Sequence, residues 1–179
     1  MLVGVLTLGT FSPVLKAQEI PLPKIGVIDV QKVLRDCKAA KNIRPKFQKM
    51  RKAFQKQVSE QEQRLRKAEQ ELARQRAILA PEALNRKRRA FNEDARKAQS
   101  AVQEQRRQLD QAFNNTKNEI LKNLVVVARQ VAEAKKLNVL LEKRSLFLSA
   151  KTLDVTKEII VQLDKRLPKL VIQFDKGKI

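Results

Sequence analysis

Several residue types are scarce or missing in this sequence of 179 residues, which has no Trp, Tyr or His, one Cys, four Gly and six Pro. Without His, and with no Ser or carboxylate constellation around a recognisable site, it lacks the usual parts of an active centre. No phosphate-binding loop of the Gly-x-x-x-x-Gly-Lys type occurs either. The common residues are helix formers such as Gln, Lys, Arg, Ala and Leu. We therefore expect a mostly helical protein that is not an enzyme and uses no cofactor or metal.

The only cysteine is Cys37, which cannot form a disulfide within one chain. We expect it to behave as a small apolar residue that faces a protein core. A disulfide to a second subunit is the alternative. A lipid anchor is disfavoured, because Arg35 and Asp36 place charges where a lipoprotein signal needs small residues.

Positive charge is in large excess, with 39 Lys and Arg against 19 Asp and Glu, a net charge of +20. This excess attracts polyanions, which include nucleic acid, anionic lipid and acidic protein segments. Charge alone does not choose among these partners, so the compartment has to decide.

The N-terminus predicts export. Residues 2–15 form an apolar run that is too short to span a bilayer. Pro13 followed by Ala17 resembles the end of a signal peptide, so we predict a signal peptide over residues 1–17 with cleavage after Ala17. A buried N-terminal strand is the alternative, since no Lys or Arg precedes the run.

The middle of the sequence predicts two long helices, over residues 39–79 and 82–136, of about 60 Å and 80 Å. Apolar residues recur there at steps of three and four, as in a coiled coil. Pro81 suits the first turn of the second helix, so the two helices should pack antiparallel around a tight turn. The predicted seam residues are Ile43, Phe47, Met50, Phe54, Val58, Leu65, Ala68, Leu72, Leu79, Leu84, Phe91, Ala95, Ala98, Val102, Leu109, Phe113, Thr116, Ile120, Leu124, Val127, Val131 and Ala134.

The two ends of the chain predict a small mixed body. Residues 24–29 read as a buried strand, and residues 30–35 read as a short helix with Asp29 as its N-cap. After the long helices, two short apolar runs at 137–142 and 146–148 predict a β-hairpin.

A last amphipathic helix is predicted after Asp154, its N-cap, with Val155, Ile159, Leu163 and Leu167 on one face and Pro168 at its end. Residues 169–179 read as a basic tail. The fold class is thus α+β and mostly α. Residues 18–38 and 137–179 should form the body, and residues 39–136 a coiled-coil arm.

This order of elements resembles the Skp/OmpH family of periplasmic chaperones. The resemblance is carried by Lys24-Ile25-Gly26-Val27-Ile28-Asp29-Val30, by the return through residues 137–142, and by Asp154-Val155-Thr156-Lys157. It implies a homotrimer of jellyfish type, in which the bodies share a β-barrel and three arms enclose a cavity. The trimer contacts would then involve Ile25, Val27, Ile28, Val139, Leu140, Leu141, Leu146 and Leu148.

The resemblance further implies a periplasmic, ATP-independent holdase that keeps unfolded outer-membrane proteins in this cavity. Lipopolysaccharide or another anionic lipid is a further candidate partner, whereas no nucleic acid is expected.

The arm carries most of the charge, since residues 38–137 hold 26 Lys and Arg against 11 Asp and Glu. We interpret this excess as an electrostatic trap for acidic, unfolded clients. For any single residue, a solvated helix face is the simpler explanation. The predicted client-binding residues are Arg64, Arg66, Lys67, Arg74, Arg76, Arg86, Lys87, Arg88, Arg89, Arg96, Lys97, Arg106 and Arg107.

Two other functions fit parts of the sequence. A basic helical hairpin could bind nucleic acid, but it has no Tyr or Trp for base stacking and no known reading module. A coiled-coil envelope scaffold would share the fold and bind no unfolded client.

Overall fold

The computed structural model describes residues 21–172, and the predicted signal peptide and the end of the tail lie outside them. No helix within these residues is long and apolar enough to cross a membrane. The elements, in chain order, are β1 (Ile25–Ile28), α1 (Val30–Asp36), α2 (Lys38–Gln75), α3 (Pro81–Ala134), β2 (Val139–Glu142), two short 3₁₀ turns (Lys143–Ser145 and Lys151–Leu153) and α4 (Thr156–Arg166).

The two strands are parallel neighbours, paired from Ile25 opposite Val139 to Ile28 opposite Glu142. A parallel pair cannot be joined by a tight turn, so the whole of α1, α2 and α3 serves as the crossover between them. The other edge of β1 is also occupied, because the backbone N–H of Val155 donates to the Val27 carbonyl at 2.9 Å. This central strand therefore joins the two ends of the chain.

The predicted β-hairpin is wrong. Its first half exists as β2, but residues 146–148 form no strand, and a 3₁₀ turn follows β2 instead of a hairpin turn. Phe147 is fully exposed and Leu148 is 86% exposed, so neither finds an apolar partner within the described chain. Strand β2 pairs with the edge of β1 instead of with residues 146–148. A local sequence pattern does not reveal this pairing.

The predicted cap of α1 is confirmed, and that of α4 is wrong by one residue. Asp29 Oδ1 accepts a hydrogen bond from the backbone N–H of Lys32 at 2.7 Å. In α4 the N-cap is Val155, and Asp154, one residue before it, accepts a hydrogen bond through Oδ1 from the backbone N–H of Thr156 at 2.9 Å. These carboxylates satisfy amide groups that have no partner inside the first turn of a helix.

Helices α2 and α3 pack antiparallel as predicted. Three pairs fix their alignment: Phe47 with Phe113, Gln57 with Gln105, and Gln75 with Lys87. At 1.5 Å per residue, α2 is about 57 Å long and α3 about 81 Å. The last turns of α3 therefore extend past the start of α2. There they bury Leu124, Val127 and Val131 in the body.

Both long helices end earlier than predicted. Helix α2 stops at Gln75, and Ile78 beyond it is exposed at the hairpin turn. Helix α3 stops at Ala134, because Lys136 adopts φ of 55°. The N–H of Leu137 then donates to the Ala132 carbonyl at 2.8 Å, which closes the helix with a Schellman motif.

The predicted seam is correct in most positions and wrong in a few. Phe113 is 48% exposed, while Ala112 and Thr116 are buried between the helices. The small Ala112 allows α2 to approach closely, and the Phe113 ring lies beside the contact, edge-on to Phe47 at 5.3 Å between centroids. Ala68 and Ala134 are exposed as well.

The core lies in the body and at the base of the arm. Helix α4 contributes Ile159 and Leu163, both fully buried, and α1 contributes Val33. Cys37 is fully buried, as predicted for a small apolar residue. Its Sγ lies 3.5 Å from the backbone N–H of Ala40, and burial raises the pKa of the thiol. The buried thiol is thereby kept in its neutral, unreactive form.

Candidate functional site

The predicted client-binding side chains are all solvent-exposed, and the antiparallel pairing sorts them into three levels along the arm. Around the tip, where α2 ends and α3 begins, lie Arg74, Arg76, Arg86, Lys87, Arg88 and Arg89. Successive residues of a helix rotate by about 100°, so the four consecutive cations of α3 point in nearly all directions around it. The tip is therefore positively charged on nearly every side.

The second level lies in the middle of the arm and draws on both helices. Arg64, Arg66 and Lys67 of α2 lie level with Arg96 and Lys97 of α3, given the pairing of Gln57 with Gln105 and of Gln75 with Lys87. The two groups are more than 25 positions apart in sequence, and only the hairpin brings them together.

Nearer the base lie Arg106 and Arg107, which come from α3 alone. Arg107 forms a two-pronged pair with Glu104, at 2.9 Å from Nε and 2.6 Å from Nη2. Sharing its charge with a neighbouring carboxylate makes Arg107 the least available cation of the predicted set.

Most of the arm charge has no counter-ion. Besides Arg107, only Lys97 of the predicted set has an ion pair within residues 21–172, with Glu93 at 2.6 Å. The hydrogen bond from Lys97 lowers the pKa of Glu93, and the same contact raises the pKa of Lys97. The other eleven cations make no ion pair in the described part of the chain. They give the arm a positive potential that a polyanion can neutralise.

The residues predicted to form trimer contacts fall into two classes. Val27 and Ile28 are buried in the core of their own chain, so they are not available to another subunit. The other predicted residues are partly or fully exposed: Ile25, Val139, Leu140, Leu141, Leu146 and Leu148.

One apolar side chain of the body was missed by the sequence prediction. Phe147 is fully exposed beside Leu148, and its position inside an apolar run led to its assignment to a strand rather than to a contact surface. The outer edge of β2 also has no strand partner within residues 21–172. An open edge next to exposed apolar side chains is typical of an interaction surface.

The comparison of the sequence with known families is decisive. A family model described as outer membrane protein (OmpH-like) matches residues 24–163, most of the chain. The chain belongs to the OmpH-like family. The match spans the entire arm and most of the body, and the family predicted from the sequence is confirmed. Among curated proteins, no match to the chain was found.

An OmpH-like protein of known structure has a similar fold. That protein is a candidate outer membrane chaperone from Caulobacter crescentus, and its structure is known from a crystal. The two chains are 17% identical, and the match covers 92% of this chain and 99% of the other, with a TM-score of 0.77. At this identity the similarity shows the fold alone. The fold of the present chain is mostly helical with a small two-stranded sheet.

Proposed function

We propose that this OmpH-like protein is an ATP-independent holdase chaperone that binds unfolded outer-membrane proteins in the periplasm. Three copies would join through their bodies, and their basic arms would enclose the client in a cavity. The signal peptide predicted over residues 1–17 would deliver the chain to that compartment. Neither catalysis nor a cofactor has a part in this function.

The unpaired positive charge of the arm is the observation that carries the proposal. Such charge on a thin hairpin is costly to the hairpin itself, because neighbouring cations repel one another. Solubility would be served equally well by mixed signs. A surface of this kind suits a polyanionic partner that is held by many weak contacts, as an acidic unfolded chain would be.

The body supports the assembly part of the proposal. Exposed Phe147 and Leu148 and the open edge of β2 offer a surface that a second copy could cover. Burying apolar side chains between copies would contribute about 25 cal/mol for each Å² removed from water. Anionic lipid or lipopolysaccharide remains a second candidate ligand of the arm, since it meets the same charge requirement.

The direct test is suppression of aggregation. The mature protein is mixed with a β-barrel outer-membrane protein as the latter is diluted out of urea, and light scattering is followed. We expect suppression at low salt and a marked loss as the ionic strength rises, because screening shortens the Debye length from about 10 Å at 0.1 M to about 3 Å at 1 M. A neutral crowding polymer at equal mass is the control.

Two outcomes would contradict the proposal. If aggregation is unaffected at every protein ratio, the protein is not a holdase, and the coiled-coil envelope scaffold is the function that agrees with the fold. If the protein instead binds duplex DNA more tightly than the unfolded barrel at the same salt, nucleic-acid binding explains the charge. The mass in solution tests the assembly, and a stable monomer would remove the cavity.

A further inference from the structure

A groove lies at the base of the arm, where α1 meets α2 and α3, and it encloses about 470 Å³. None of the residues predicted to bind clients lines it. Its floor is apolar and comes from three helices: Leu34, Ile43, Phe47, Phe113 and Ile120. We call it the arm-base pocket.

Two aromatic rings dominate the floor of the arm-base pocket. Phe47 and Phe113 meet edge to face, with centroids 5.3 Å apart and an interplanar angle of 80°. Phe113 is nevertheless 48% exposed, although it belongs to the side chains that normally enter a core. The pair therefore presents open aromatic surface against which an apolar side chain can pack.

Four cations surround this apolar floor, namely Arg35, Arg44, Arg51 and Lys117, and no Asp or Glu lines the pocket. Arg44 Nη2 donates to the backbone carbonyl of Arg35 at 2.9 Å, which holds its guanidinium at the rim. None of the four forms an ion pair with a carboxylate in residues 21–172. The nearby carboxylate of Asp36 is occupied by Lys32 at 3.2 Å.

The spacing of the cations distinguishes between two anionic ligands. Arg44 and Arg51 are seven residues apart on one face of α2, a separation of about 10 Å along the helix. An unfolded chain in the extended polyproline II conformation has three residues per turn and advances about 3.1 Å per residue, so carboxylates three residues apart lie on one side of it, about 9 Å apart. A lipid headgroup with a single phosphate does not reach both. The open groove would also leave an acyl chain partly in water.

We propose that the arm-base pocket binds an extended segment of the unfolded client in which aromatic or aliphatic side chains lie between carboxylates. The apolar side chains pack on Phe47 and Phe113, and the carboxylates pair with Arg44, Arg51 and Lys117. This inference rests on the proposed holdase function and gives it a defined contact, beyond the diffuse attraction of the arm.

The test uses fluorescein-labelled octapeptides and the full-length mature protein. In the first peptide, Asp stands at every third position, with Phe and Ser between. In the second peptide Asn replaces each Asp, and in the third Ser replaces each Phe. Fluorescence anisotropy measures the affinity of each peptide. We expect both replacements to weaken binding about tenfold, because each removes one half of the recognition.

Protein variants then place the site. Arg44→Gln combined with Arg51→Gln, and separately Phe113→Ala, should each weaken binding of the first peptide about tenfold. The matched control is Lys157→Gln combined with Lys165→Gln, which removes the same charge from exposed positions of α4. It should leave the affinity unchanged. Circular dichroism and elution volume test whether each variant keeps its fold and its oligomeric state.

Each result has a defined meaning. If the peptide without Phe binds as well as the first, the arm acts by charge alone and the pocket is not a site. If vesicles of phosphatidylglycerol bind in a manner that depends on Arg44 and Phe113 while the peptides do not bind, the occupant is a lipid and the proposal is wrong. A pocket variant that changes the mass in solution identifies a second copy as the occupant, which also overturns it. Should the wild type suppress aggregation while all peptide affinities stay equal, only this inference fails and the holdase function stands.

Discussion

The body and the arm solve different physical problems with the same chain. In the body, residues from both ends pack into a continuous core, and side chains such as Ile159, Leu163 and Val33 are fully buried. In the outer arm, the seam residues Phe54, Leu65 and Leu72 are only half-buried, since each faces a single partner helix. Stability is therefore concentrated in the body. The arm is free to carry a surface whose charge serves binding rather than folding.

Truncating one leucine in each region tests this difference most strongly. We expect Leu163→Ala to lower the free energy of unfolding by about 3 kcal/mol, because a fully buried leucine leaves a cavity. Leu65→Ala on the arm should lower it by about 1 kcal/mol, because that side chain is already half in water. Urea titration followed by circular dichroism, at one fixed protein concentration, gives both values. Equal losses would mean that the arm is as well packed as the body.

The carboxylate of Asp154, just before α4, gives a pH-dependent contrast. Burial disfavours ionisation of Asp154, but the hydrogen bonds from Thr156 and the charge of Lys143 outweigh it and lower the pKa of the carboxyl below 3.8. Its stabilisation is therefore fully present above the unfolded pKa, and it is lost as the pH falls through the folded pKa. Asp154→Ala should cost about 1 kcal/mol at pH 7, and the cost should shrink below about pH 4.

The matched control for Asp154 is Asp110→Ala. Asp110 is exposed on the arm and makes no hydrogen bond within the described residues, so its removal should change stability little at any pH. A loss at Asp154 that stays constant down to pH 2 would show that the carboxylate charge has no part in this stabilisation.

The smallest expected change in the free energy of unfolding comes from a substitution at the junction between arm and body. Lys136 holds φ of 55°, a conformation that is costly for any residue with a Cβ and free for glycine. Lys136→Gly should raise the free energy of unfolding by about 0.5–1 kcal/mol, because the greater backbone entropy that glycine loses on folding partly offsets the relief of the left-handed conformation. The same change at Lys135, whose φ is −92°, should lower it. Thermal unfolding of both variants checks this, and destabilisation by Lys136→Gly would show that the lysine side chain makes a needed contact.

The arm and the body also differ in how much of their structure can be predicted from the sequence. The arm could be predicted almost completely, because heptad spacing and Pro81 are local signals. Phe113 was misplaced, since both it and Ala112 fit the spacing and only the approach of α2 selects the smaller residue. In the body, the pairing of β1 with β2 joins segments that are separated by the whole arm. No local pattern specifies such a partner, which is why residues 146–148 were predicted to form a hairpin strand.

The two candidate sites, the basic arm residues and the arm-base pocket, differ in the same way in how far the sequence predicts them. Exposure of the basic arm residues follows from their positions outside the seam, whereas the arm-base pocket needs α1, α2 and α3 together. Arg35 and Lys117 are far apart in sequence, and nothing in their neighbours indicates that they line one groove. A half-exposed phenylalanine among cations is visible only in three dimensions.

The central claim is that the charge of the arm, rather than the total charge of the protein, holds the client. Charge reversal at the tip tests it most directly, with Arg86→Glu and Arg88→Glu in one variant and Lys157→Glu and Lys165→Glu of α4 in a matched one. Both variants lower the net charge equally. In the scattering assay with a urea-diluted β-barrel protein, we expect the arm variant to lose most of its suppression and the α4 variant to keep it. Equal suppression by the two variants would contradict the account.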